Sequence, residues 1–133
     1  MISPAVRELL ATRIDTFEKL DLVVALAAAP HQSLSIEALA ETLNCPRLAI
    51  RQAVAELRRV MLVDVSFDGE VKLVPLTEED RRVVAELLEV YGQDRSVVVR
   101  LLGELAMARI RGMAAKAFSD AFVIKGKKGG RDG

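Results

Sequence analysis

The chain has 133 residues, 51% of them hydrophobic, which is enough to bury one sizeable core with a small appendage and argues against two full domains. Aromatic residues make up only 4% and Trp is absent, a composition that disfavours an all-β sandwich and favours helices packed through aliphatic side chains. Lys plus Arg and Asp plus Glu number 19 each, so overall charge announces neither a nucleic acid nor a membrane partner, and any such role has to come from local charge.

Ser3-Pro4 opens a first helix, expected from Pro4 to about Arg13 with Val6, Leu9 and Leu10 inward. Asp15-Thr16-Phe17-Glu18 has capping-box logic, with Asp15 as acceptor and Glu18 reaching back. From there to Ala29, Phe17, Leu20, Val23, Val24, Leu26 and Ala27 recur at helical spacing, and Pro30 stops the run. After a short loop, Ser35 caps a helix of barely two turns, Ile36–Leu43, with Ile36, Leu39, Ala40 and Leu43 inward. Asn44-Cys45 breaks it, and Pro46 starts another helix to Arg59 with Ile50, Val54 and Leu57 inward and Arg47, Arg51, Gln52, Arg58 and Arg59 on its other faces. Val63–Phe67 and Glu70–Val74 alternate apolar and polar residues around Asp68-Gly69, which predicts a hairpin with a type I′ turn. Thr77 caps a helix through about Tyr91, carrying Val83, Val84, Leu87, Leu88 and Tyr91 as its stripe and ending at Gly92. Asp94 begins a last helix from Arg95 to roughly Phe122, with weak points at Gly103 or Gly112. Residues 125–133 are basic and Gly-rich, and are expected to be irregular.

Chemistry is sparse. One Cys and one His leave no intrachain disulfide framework and too few ligands for a protein-only zinc site. No nucleophile constellation and no phosphate-cradling Gly-rich loop is present, so neither an enzyme nor a cofactor is expected. Cys45, just before a helix N-terminus, admits a redox-sensitive thiolate or an inert packed turn residue. No stretch approaches a bilayer span and no signal-peptide pattern opens the chain, so the expectation is a cytoplasmic protein without membrane contact.

The segment Ser35–Val63 resembles the winged helix-turn-helix superfamily of small bacterial transcription regulators. The likeness rests on Leu39-Ala40 in the first short helix, Asn44-Cys45-Pro46 at the turn, Ile50, Val54 and Leu57 inward on the second helix, and Met61-Leu62-Val63 leading into the wing. It spans Asp15 to Pro75, a little under half the chain. Met61 stands where the family usually has Gly, so either the turn tolerates a left-handed Met or the helix runs longer. The resemblance implies a mainly α fold, a three-helix core plus a two-stranded wing, bound to double-stranded DNA through the major groove. It carries recognition onto the helix Pro46–Arg59, with Arg47, Arg51 and Gln52 reaching base edges and phosphates. Arg58 belongs to the same basic patch, and Ser33 and Ser35 are placed to donate to phosphate. The opposing reading is that these arginines are only a solvated helix face.

Charge is segregated along the chain. Pro46–Arg59 contains four Arg and one Glu, a local charge of +3, whereas the wing's Asp64, Asp68 and Glu70 outnumber Lys72 to give −2. If DNA is bound, the helix contributes more than the acidic wing.

The expected organisation is an N-terminal helix at 1–14, the winged domain at 15–76, C-terminal helices at 77–124 and the basic tail at 125–133. A winged core needs nothing beyond about Pro75, so the later helices are expected to make a homodimer. Leu102, Ala106, Ile110 and Met113 share a broad face with Val99 and Ala117, and Phe118 and Phe122 lie opposite, on a side that begins polar. Two-fold pairing would set two recognition helices about one DNA turn apart. The alternatives are helices that fold back over the first domain, a protein-protein interaction module that binds its partner through them, or a small-molecule sensor with an apolar pocket.

Overall fold

In the computed structural model, residues 2–121 are described with their side chains, and beyond them only the course of the last helix to Asp132. The side chains of Phe122 and of the tail at 125–133 lie outside the described residues. The elements run α1 (Pro4–Thr12), α2 (Phe17–Ala28), a 3₁₀ turn (Pro30–Gln32), β1 (Ser33–Ser35), α3 (Ile36–Leu43), α4 (Arg47–Arg59), β2 (Val63–Val65), β3 (Glu70–Leu73), α5 (Glu78–Gln93) and α6 (Arg95–Asp132).

The order α2, β1, α3, α4, β2, β3 is a winged helix-turn-helix. Leu20, Leu22, Val23 and Leu26 of α2, Leu39 of α3 and Ile50, Val54 and Leu57 of α4 close its core with Leu62, Val71 and Leu73. The sheet has three antiparallel strands in the order β1-β3-β2, not the two expected. Ser33, Leu34 and Ser35 pair with Lys72, Val71 and Glu70. Three residues are too short a run to show alternation, so only the facing edge of β3 makes them a strand.

Local capping follows the sequence with small shifts. Oγ of Ser3 accepts from Val6 N, and Oγ of Ser35 accepts from Ala38 N. Thr16, not Asp15, caps α2, accepting from Lys19 N at 3.2 Å. Asp15 is used instead by cationic side chains, as described below. Pro46 is the N-cap of α4 rather than its first turn. The wing turn is not type I′: among residues 66–69 only Gly69 has positive φ, at 87°. Gly69 N donates to Ser66 O and Ser66 N to Glu70 O, the three-residue loop with a left-handed Gly bulge. Gly92 does not end α5, which continues to Gln93 and stops at Asp94. With its stripe anchored by Val83, Val84 and Leu87 in the core, the packing outweighs one glycine's propensity cost.

The α4 exit resolves the Met61 question in favour of strain. Met61 has φ 65°, and its N–H donates to Arg58 O while Leu62 N–H donates to Leu57 O, the paired bonds of a Schellman cap. A left-handed L-residue costs about 1–2 kcal/mol, and Gly gives back about 0.4–1 kcal/mol through unfolded-state entropy. Met61→Gly is therefore expected to stabilise the protein by about 0.5–1 kcal/mol, measured as a higher urea midpoint with an unchanged slope.

The N-terminal helix is not a separate appendage. α1 packs on both α5 and α6, which pack on each other, so a second helical layer is built from the two ends of the chain. Val6, Leu9 and Leu10 meet Val83, Val84, Leu87, Val98, Leu101 and Leu102 in one continuous core. Its edge is pinned by Arg13, whose two Nη groups donate to the two Asp80 carboxylate oxygens at 2.9 and 2.8 Å. That bidentate bond holds the Asp80 carboxyl below its ordinary value. A depressed carboxylate contributes stability that is complete above the unfolded pKa of about 3.9 and is lost as pH falls through the lower folded value. Asp80→Asn is expected to cost about 1–2 kcal/mol at pH 7 and to remove this acid-sensitive part. The urea midpoints of variant and parent should then converge below about pH 4.

Candidate nucleic-acid interface

The turn between α3 and α4 is built by Asn44, which takes the left-handed conformation at φ 52°, ψ 47° and donates its N–H back to Ala40 and Glu41 carbonyls. Asn tolerates this geometry better than most L-residues. Cys45 follows, half-buried against the core, its N–H on Ala40 O and its thiol 3.5 Å from Leu43 O. That is the placement of a packed turn residue.

At about 100° per residue, the α4 residues farthest from Ile50, Val54 and Leu57 are Leu48, Gln52, Ala55 and Arg59, with Arg47, Arg51 and Arg58 along one flank. All seven are exposed. Arg51 and Arg59 have no ion-pair partner among the described residues. Arg47 lies 3.9 Å from Glu37 in an exposed pair, which contributes little and leaves the guanidinium available. Arg58 is more committed: its Nε is 3.2 Å from Asp64 on β2, so it braces the wing and offsets part of the wing's negative charge.

The single carboxylate of α4, Glu56, is drawn off the basic face. Lys19 of α2 is buried, and its Nζ donates to Glu56 at 2.6 Å and to Asp15 at 2.7 Å. Desolvation lowers the Lys19 pKa, but the bonds to Asp15 and Glu56 outweigh it and leave it above its ordinary value. Asp15 is also reached from α6, where Arg109 donates to its carbonyl at 3.1 Å and lies 3.6 Å from its carboxylate. Arg109, Asp15, Lys19 and Glu56 thus tie α6 through the residues at the entry to α2 to α4.

The two serines have structural partners. Ser33 Oγ donates to Glu70 of the neighbouring strand at 3.3 Å, and Ser35 Oγ serves as the α3 cap, its O–H still able to donate. The wing tip carries a feature that the charge count overlooked: Phe67 is fully exposed between Ser66, whose hydroxyl donates to Asp68, and Gly69. Leu48 was overlooked too, although its position opposite Ile50, Val54 and Leu57 is visible on a helical wheel.

On α6, Leu102 is 1% exposed and belongs to the chain's own core, and Ala106 is half-buried. Beyond Arg109, every described side chain from Ile110 to Ala121 is exposed, including Met113 and Phe118. Near α5, a recess of about 490 Å³ is lined by Gln32, Leu73, Val74, Arg81, Val84 and Leu88. The Arg81 guanidinium there donates to the carbonyls of Pro75 and Leu76. Among the described residues, no group of three or more His, Cys, Asp or Glu is placed to hold a metal, and no helix is long and apolar enough to cross a membrane.

No protein-family model matches the chain, and no curated protein does. Among solved structures, it is similar to the adhesin competence repressor AdcR of Streptococcus pyogenes, at 17% identity and a TM-score of 0.47, over 86% of this chain and 85% of that one.

Proposed function

We propose that the chain is a cytoplasmic, non-enzymatic, DNA-binding transcription regulator that acts as a homodimer and lays α4 in the major groove. The observation that carries this reading is the outer face of α4, where Arg51, Gln52 and Arg59 stand exposed and Arg47 is only weakly engaged. A helix presenting Arg and Gln to solvent from a helix-turn-helix suits bidentate contacts to guanine O6/N7 and adenine N6/N7. Ser35 and the α3 N-terminus add phosphate contacts. With a net charge of zero, long-range attraction to DNA is weak, so binding depends on this one face, and its fall with salt is set by the few phosphates that face neutralises.

The dimer reading rests on the exposed run of α6 from Ile110 to Ala121, with Met107, Ile110 and Met113 each more than half exposed. A second copy would cover these residues through a self-complementary two-fold contact. The test is fluorescence anisotropy of the full chain on promoter fragments at several salt concentrations, with sedimentation of the same samples. Specific binding by a dimer is expected. Ile110→Asp with Met113→Asp is expected to give a folded monomer with weaker binding. A protein that shows no sequence preference at low salt is not this regulator; the same α6 surface then favours a winged-helix interaction module that binds another protein.

A further inference from the structure

Leu48 occupies an unexpected place. It is 66% exposed at the crest of α4, on the line directly opposite the buried positions, with Gln52 one turn on and exposed Ala55 one turn beyond that. The arginines Arg47 and Arg51 lie beside it, both along one flank of the helix. In a basic face built only to neutralise phosphate, this outermost position would carry a cation or a short polar group. A branched aliphatic chain there gains nothing in water and obstructs a phosphate or a guanine edge. It has one apolar complement in the major groove, because only thymine presents a methyl group there.

We propose that Leu48 is a specificity-determining residue that packs on a thymine C5-methyl. Gln52, on the same crest, takes the N6/N7 edge of an adenine one or two base pairs away, and the small Ala55 lets the helix seat deeply enough for both contacts. The half-site therefore carries A·T pairs under the first two turns of α4, with the Arg47 and Arg51 contacts beside them. This inference rests on α4 being the DNA-reading helix.

The experiment uses the full chain and a duplex recovered by iterative selection from a random library, in which each thymine is replaced singly by deoxyuridine to remove its methyl. Wild type is expected to lose about three- to fivefold in affinity at one position per half-site, the worth of one buried methyl-sized group. Leu48→Ala is expected to weaken binding to the thymine duplex by a similar factor or more, and to lose less than about twofold on the same replacement, since the contact is already gone. Because Leu48 is exposed, the variant keeps the fold, which circular dichroism checks. Specific binding that tolerates every thymine replacement, or that drops equally in wild type and Leu48→Ala, overturns the role of Leu48 while leaving the regulator reading standing. Unchanged DNA affinity with altered sedimentation in Leu48→Ala assigns the residue to a protein contact and also overturns it. Absence of any selected sequence overturns both readings together.

Discussion

Replacing Arg51 and Gln52 together by Ala is expected to abolish sequence-specific DNA binding while leaving a folded protein. Both side chains are exposed on α4, away from Ile50, Val54 and Leu57, so truncating them removes no core contact. Each bidentate base contact is worth about 1–3 kcal/mol of discrimination, which makes the pair worth about 30-fold to 10⁴-fold in affinity for the selected site. The residual binding should resemble nonspecific binding, carried by Arg47 and Arg59 on phosphates and weakened further by salt. Anisotropy on the selected duplex and on a scrambled one checks this. Retention of the affinity ratio between the two duplexes would remove α4 from the reading surface.

The largest expected effect on stability comes from Lys19→Ala. The ammonium is nearly enclosed, with only 8% of its side chain exposed, and it joins Asp15 to Glu56. Removing it leaves two carboxylates facing each other at the junction of α2 and α4 and deletes the aliphatic stem. Breaking fully buried pairs costs about 3–5 kcal/mol; the partial exposure of both carboxylates brings the expectation here to about 2–3 kcal/mol. Lys19→Met keeps the stem and should recover part of that loss, separating packing from charge. Because the Lys19 pKa is raised, its stabilising contribution is fully present below the unfolded value of about 10.4 and disappears only above it. The difference between Lys19→Met and wild type should thus be constant from neutral pH to about pH 9 and shrink in stronger alkali. Urea unfolding across that range measures it.

Lys19 also shows where sequence reasoning stops. Its place in α2 was clear, but nothing local distinguishes it from Glu18 or Asp21 on neighbouring faces. Its burial depends on Glu56, 37 positions away. Likewise, Arg58 read as part of the basic patch because four arginines fall in one helix, and Asp64 claims it only once the wing has folded back beside α4. The core of α4, the turn at Asn44 and the exposed Arg51 and Gln52 were legible, since each follows from spacing within one helix or from one residue's backbone preference. Leu48 was legible in principle, being the large aliphatic residue on the polar side of that helix.

By itself, the sequence determined the elements whose causes are local. The capping hydroxyls at Ser3, Ser35 and Thr77, the 3.6-residue stripes of α2 to α5 and the Gly69 turn all act within a few residues of one another. They were sufficient to show a helix-turn-helix followed by a wing. Only tertiary structure decided that α1 joins α5 and α6, since Arg13 meets Asp80 across 67 positions. It also drew Ser33–Ser35 into the sheet against β3 and anchored α6 to Asp15 through Arg109, 94 positions away. Such contacts appear in no local pattern, because each requires closing a long loop whose entropy is repaid only when the whole core forms around it.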